Sequence, residues 1–143
     1  MYKTVLVALD LDDPSDLEVT LARAIAMVRA SPGATLHAMT VLPPFGMSIV
    51  GQFFPKGYEH AVGQALMARL REEVDRRLPD GLTAQHIVGE GKVYETVLRI
   101  AEREGADLIV IGAHRPELAD YLLGPNAARV VRHAKASVLV VRG

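Results

Sequence analysis

Lys3-Thr4-Val5-Leu6-Val7-Ala8-Leu9-Asp10 is the stretch on which the fold turns. Val5 to Leu9 is an unbroken apolar run without polar alternation, the pattern of a strand covered on both faces of a parallel sheet. Downstream, Leu17, Leu21, Ala24, Ile25 and Val28 recur at three- and four-residue spacing. This is a helix, with Ser15 or Asp16 as its expected N-cap and Pro32-Gly33 as its stop. Leu36 to Leu42 reads as a second strand. A helix from about Glu59 to Arg77 carries Leu66, Leu70, Val74 and Leu78 on one face, and Pro79-Asp80-Gly81 turns the chain. Leu82 to Val88 shows some alternation and is predicted to be an edge strand. Val93, Val97, Ile100 and Ala101 mark a third helix ended by Gly105, and Leu108 to Ile111 a strongly apolar fourth strand. Ala127, Val130, Val131 and Ala134 mark a last helix, and Val138 to Val141 a fifth strand. Five strands alternating with four helices imply an α/β fold, a parallel sheet with helices on both faces and right-handed crossovers.

Length and composition agree with one domain over 1–143. The chain has 143 residues, 50% hydrophobic and 23% charged, enough to bury roughly 68–70% of the surface its unfolded form exposes. A net charge of -1 lacks the basic excess of a nucleic-acid binder, so no nucleic-acid partner is expected. The chain contains Cys 0, which removes disulfides, thiolate zinc sites, iron–sulfur clusters and thiol nucleophiles. The N-terminal apolar run is too short for a signal peptide, and no apolar stretch approaches membrane-spanning length. The expectation is a cytoplasmic protein without membrane insertion.

In such sheets ligands sit beyond the carboxyl ends of the strands, where strand order reverses. After the first strand come Asp10, Asp12, Asp13, Asp16 and Glu18. They read either as ligands for a divalent ion or as a solvated loop whose acids favour a helix N-terminus. Asp10 stands apart, directly at the strand end. After the second strand, Pro43 to Gly57 holds all three Phe residues, Phe45, Phe53 and Phe54. It reads as a lid over a ligand or a surface against a partner subunit. Gly89-Glu90-Gly91-Lys92 is a turn into a helix and not a phosphate loop, since His86 and Val93 stand where Gly and a hydroxyl are needed. After the fourth strand, Gly112 allows close approach of a ligand to the backbone. His114 and Arg115 add donors. Gly124 reads as an N-cap, Pro125 as the first helical residue, and the amides of Asn126 and Ala127 as an anion site at a helix start.

The stretches Lys3 to Asp10, Gly91 to Ala101, Ala106 to Gly112 and Gly112 to Val141 together resemble the universal stress protein family over essentially the whole chain. His114-Arg115-Pro116, Tyr121-Leu122-Leu123-Gly124 and Asn126-Ala127-Ala128 are most similar to its small F/G-type members. The resemblance implies a Rossmann-like sheet of order 3-2-1-4-5, of the adenine nucleotide alpha hydrolase type. Nucleotide-binding members carry Gly-x-x-Gly, nine residues, then Gly-Ser or Gly-Thr. Here Gly112 and Gly124 match the first and third glycines, Arg115 replaces the second, eight residues precede Gly124, and Pro125 replaces the hydroxyl. By resemblance, Ala8, Leu9 and Asp10 contact the nucleotide from the first strand, and Thr40, Val41 and Leu42 flank the adenine. Gly112, Ala113, His114 and Arg115, with Gly124, Pro125, Asn126 and Ala127, hold ribose and phosphates. Asp10 meets a Mg ion held through the phosphates.

The expected function is therefore an ATP- or AMP-binding stress-response module that signals through nucleotide-dependent interaction with a protein partner. The alternative is a nucleotide-free structural dimer. No catalytic residue is expected, since there is no Gly-x-Ser-x-Gly elbow and no His-Glu-x-x-His, and by resemblance the activity is at most slow ATP hydrolysis or self-modification. A phosphoacceptor receiver fails because the third strand ends Ile87-Val88-Gly89 with no acceptor Asp. With order 3-2-1-4-5, Val138, Leu139, Val140 and Val141 form an exposed edge with no Pro or Lys inside it. Antiparallel pairing with a second copy would cover it, giving a homodimer.

Overall fold

The structure is a computed structural model, described over residues 1–42, 58–113 and 123–143. Five strands, β1 Thr4–Ala8, β2 Thr35–Leu42, β3 Ala84–Glu90, β4 Leu108–Gly112 and β5 Ser137–Val141, form one sheet of order β3-β2-β1-β4-β5. All four pairings are parallel. The fold class and strand order are those expected.

The central strand explains the arrangement. Val5 and Val7 point to one face and Leu6 and Ala8 to the other, and all four are buried. On the first face they pack with Leu21, Ala24 and Val28 of α1 (Leu21–Arg29) and Leu70 and Val74 of α2 (Tyr58–Asp75). On the second they meet Val97 and Ile100 of α3 (Val93–Glu104) and Ala127 and Val130 of α4 (Pro125–His133). Burying each such Val, Leu or Ile contributes about 1.5–3 kcal/mol, so the unalternating run at Val5–Leu9 is what a double-faced interior requires.

Asp107 aligns the lower end of this frame. Its Oδ1 accepts the Thr4 N–H at 3.0 Å and its Oδ2 the Lys3 N–H at 2.9 Å, clasping the entry of β1 to that of β4. Partial desolvation works against its charge, but these backbone donors prevail and hold the carboxyl below the usual range.

Several boundaries differ from the sequence reading. β3 starts at Ala84 because Leu82 is still in the preceding turn, its N–H donating to Pro79 C=O at 3.1 Å. The first helix does not begin with a capping side chain. A π-helical turn over Asp16–Thr20 leads into α1, Ser15 makes no cap bond, and Asp16 is buried. Other ends are as read: Gly105 closes α3 at φ 67°, Gly124 is the extended N-cap of α4, and Pro125 is its first residue. Lys92 precedes α3 as a turn, with Gly91 at φ 133°. β5 lies at the sheet edge, with Leu139 against one layer, Val138 and Val140 against the other, and Val141 buried.

Candidate functional site

The sheet order reverses about β1: β2 and β3 lie on one side, β4 and β5 on the other. At the carboxyl ends of these strands is a cavity of about 520 Å³, within the range of small-molecule sites. Ala8, Leu9, Met39, Val41 and Ile111 form its floor, α2 supplies Val62, Ala65 and Leu66, and α3 supplies Val93 and Val97. The polar lining is Thr40, Asp10, Asp12, Asp16 and Arg69.

The floor contains an opened strand edge. In a parallel ladder, alternate residues of a strand turn their N–H and C=O to opposite neighbours. On β2, Thr35 N–H donates to Lys3 C=O and Met39 C=O accepts from Leu9 N–H, both at 2.9 Å, so these odd-numbered residues face β1. Leu42 C=O accepts from Gly91 N–H at 3.1 Å on the β3 side. Val41 therefore faces the line of β1, which has already left the ladder: pairing ends at Ala8 with Met39. Among the described residues its N–H and C=O meet no backbone partner on that side, leaving an adjacent donor and acceptor at the cavity.

Asp16 holds the chain where β1 ends. Its Oδ2 accepts the Asp10 N–H at 2.8 Å and its Oδ1 the Thr20 hydroxyl at 2.9 Å. Burial pushes its carboxyl up, against the opposing pull of these two donors. Asp10 itself is exposed at the strand end, its Oδ1 accepting the Asp12 N–H at 2.9 Å. Gly112, at the end of β4, faces the same carboxylate: a Cβ there would collide with Asp16 Oδ1 and lie 3.0 Å from Thr20 Oγ1. The space a side chain at Gly112 would take is thus filled from within the protein.

Arg69 was not foreseen. From α2 its Nη2 donates to Leu11 C=O at 2.8 Å and meets Asp12 Oδ1 at 2.9 Å, closing the cavity between α2 and the segment after β1. A signal existed: Arg69 follows Val62 and Leu66 at helical spacing, a charge on an otherwise apolar stripe. Among the described residues lining the cavity it is the one cation, facing three carboxylates.

Of the expected ligand-binding residues, Ala8, Leu9, Asp10, Thr40, Val41, Leu42 and Gly112 line this single cavity. Ala113 is buried, with its N–H on Val141 C=O at 2.8 Å. Gly124, Pro125, Asn126 and Ala127 open α4 beside the start of α3, where Asn126 Oδ1 accepts the Tyr94 N–H at 3.2 Å. His114 and Arg115 lie outside the described residues, as does the 43–57 connection. No group of three acidic or His side chains among the described residues converges to hold a metal ion, and both oxygens of Asp16 already have protein donors. No helix among them is long and apolar enough to cross a membrane.

Comparison with known proteins accounts for this geometry. The profile of the Universal stress protein family matches residues 1–142. Universal stress protein G of Escherichia coli O157:H7 is 32% identical over 146 residues, covering 99% of this chain and 100% of that one. The solved structure of the hypothetical protein MJ0577 superposes with TM-score 0.76 at 25% identity, covering 100% and 97% of the two chains. A universal stress protein solved in complex with cAMP superposes with TM-score 0.60 at 27% identity, covering 98% and 96%. This chain belongs to the universal stress protein family.

Proposed function

We propose that the cavity binds an adenine nucleotide, ATP or AMP, and that its occupancy governs interaction with a protein partner in a stress response. The observation that carries this reading is the opened edge at Val41. An N–H and a C=O side by side on an apolar floor match the acceptor–donor pair on one edge of adenine, and the flanking Val, Leu and Met side chains suit a flat base. The relative crystallised with cAMP, an adenine nucleotide, supports the same ligand class.

In this reading Ala8, Leu9, Thr40 and Leu42 enclose the base with Val41. The Asp10 carboxylate accepts from the ribose hydroxyls or meets a Mg ion. A single carboxylate suffices for Mg only when phosphate oxygens and water complete the shell, so any Mg enters with the nucleotide. Gly112 and Ala113 border the ribose. The first-turn amides of α4, preceded by Gly124 and Pro125, with His114 and Arg115, take the phosphates. The protein acts in the cytoplasm as a homodimer through Val138, Leu139, Val140 and Val141. β5 is an edge strand with one side of its backbone unpaired by this sheet, and antiparallel pairing with a second copy supplies the missing partners. Among the described residues none is placed as a general base, and the reading is of a binding module with at most slow ATP hydrolysis or self-modification.

A second reading, a nucleotide-free dimer, has one observation in its favour: three carboxylates against one guanidinium on the described lining disfavour a polyanion. Calorimetry of the purified protein with adenosine, AMP and ATP separates the two. Micromolar or tighter AMP binding supports the nucleotide reading. Failure of all three ligands overturns it, and a monomer in sedimentation at micromolar concentration overturns the dimer.

A further inference from the structure

Asp16 is a buried carboxylate at the centre of the cavity wall, and three independent contacts meet on it. Its Oδ2 holds the Asp10 N–H at 2.8 Å, its Oδ1 the Thr20 hydroxyl at 2.9 Å, and the same Oδ1 occupies the space where a side chain at position 112 would begin. The first contact has a visible effect. Leu9 N–H still reaches Met39 C=O on the β2 side, while Asp10 N–H, which by the same alternation faces β4, donates to Asp16 instead of continuing along β4. The Asp16 carboxylate therefore ends the β1–β4 ladder beside Gly112, the pairing of β1 with β4 stopping at Ala8 with Ile111.

Gly112 confirms the arrangement from the other side. Its φ does not lie in the left-handed region, so backbone conformation does not demand glycine there. What excludes a side chain is the Asp16 carboxylate and, behind it, Thr20.

Resting on the reading of the cavity as an adenine-nucleotide site, we propose that Asp16 is its positioning residue. It sets the main chain of Asp10, and with it the place of the Asp10 carboxylate in the cavity, and is the reason position 112 is glycine. Asp16 touches no ligand in this scheme and acts through Asp10 and the end of β1. Asparagine can reproduce its contacts, with the amide oxygen on Asp10 N–H and the amide nitrogen donating to the Thr20 hydroxyl. Alanine can reproduce neither.

The test is calorimetry with AMP on the full chain, with circular dichroism and urea unfolding on each variant. Asp16→Ala should weaken AMP on the order of tenfold, the size of one lost charge-assisted hydrogen bond, and Asp16→Asn should recover most of that loss. A residue that only stabilises the fold would change the urea midpoint and leave Asp10 independent of it. If Asp16 acts through Asp10, Asp16→Ala costs little further affinity once Asp10→Ala is present. Additive losses would overturn the proposal, and so would unchanged AMP affinity in Asp16→Ala. Gly112→Ala provides the second arm. Alone it should lower the urea midpoint and AMP affinity, and in the Asp16→Ala background it should cost clearly less, Thr20 Oγ1 at 3.0 Å being the contact that remains. A harmless Gly112→Ala in the parent chain overturns the assignment. If the parent chain binds neither AMP nor adenosine, the nucleotide reading has failed and the positioning role falls with it. Binding by the parent with an indifferent Asp16 overturns the positioning role alone.

Discussion

Replacing Val41 by proline removes one N–H and leaves its neighbours in place, which makes it a direct probe of the opened edge. Proline is tolerated in a sheet only where its position needs no ladder donor. Val41 meets that condition, because its N–H faces β1 after β1 has left the ladder. Thr40 does not: it pairs with Val88 on β3 and is buried. Beyond the backbone adjustment that any proline in a strand requires, Val41→Pro should therefore cost stability through changed packing of a half-buried side chain, about 1 kcal/mol or less. Thr40→Pro loses a ladder bond and strands a buried acceptor on β3, about 1–3 kcal/mol, in addition to backbone strain. For the ligand the order is reversed. The bond from Val41 N–H to the base contributes about 0.5–1.5 kcal/mol net, so Val41→Pro should weaken adenosine and AMP alike by roughly two- to tenfold. Urea unfolding of both variants, followed by calorimetry of Val41→Pro with each ligand, makes the comparison. Equal destabilisation by the two prolines would refute the register argument. Undiminished adenosine affinity in a folded Val41→Pro would refute the base contact.

Three further outcomes are expected. Arg115→Ala should weaken ATP on the order of ten- to a hundred-fold, as loss of a charge-assisted phosphate contact does, and leave adenosine unchanged in calorimetry; equal weakening of both would make Arg115 structural. Gly89→Ala places a Cβ in collision with Thr96 Cγ2 and 2.7 Å from Ile100 Cδ1, so it should lower the unfolding free energy by about 1–3 kcal/mol, with Thr96→Ser in the same chain restoring part of it. Asp107→Asn should be pH-dependent in its effect: the native carboxyl titrates below its unfolded value, so its contribution is complete above the ordinary carboxylate range and is lost as pH falls through the native value. Denaturant midpoints of parent and variant should accordingly differ at neutral pH and converge in acid, and a constant gap would show that the clasp is not ionic.

The elements were legible where burial leaves a local signature. Val5–Leu9 has no polar alternation because helices cover both faces, and Gly124-Pro125 announces the start of α4 by its backbone chemistry alone. The site was legible at the strand ends for the same reason: topology brings Ala8, Asp10, Val41 and Gly112 together once the strand order is known. What escaped depends on partners distant in sequence or on fine geometry. Asp16 resembles a helix cap, a short acid before an apolar stripe, and only packing against the end of β4 shows that it is interior. Arg69 finds its acceptors 58 residues away in sequence. The vacancy at Val41 arises from the departure of a neighbouring strand, which no residue in β2 records.

β1 also imposes an order of events on the making of the protein. It leaves the ribosome before the other strands of its sheet, yet one of its two flanks belongs to β4, with Val5 opposite Leu108 and Ala8 opposite Ile111. Until β4 has been synthesised, a strand destined for complete enclosure presents a bare, apolar backbone edge to whatever is nearby. Pairings across such sequence distances form late and slowly, and nascent edges of this kind are where aggregation begins. The same central placement that gives the finished sheet its rigid middle therefore makes the unfinished one dependent on shielding until Leu108–Gly112 emerges.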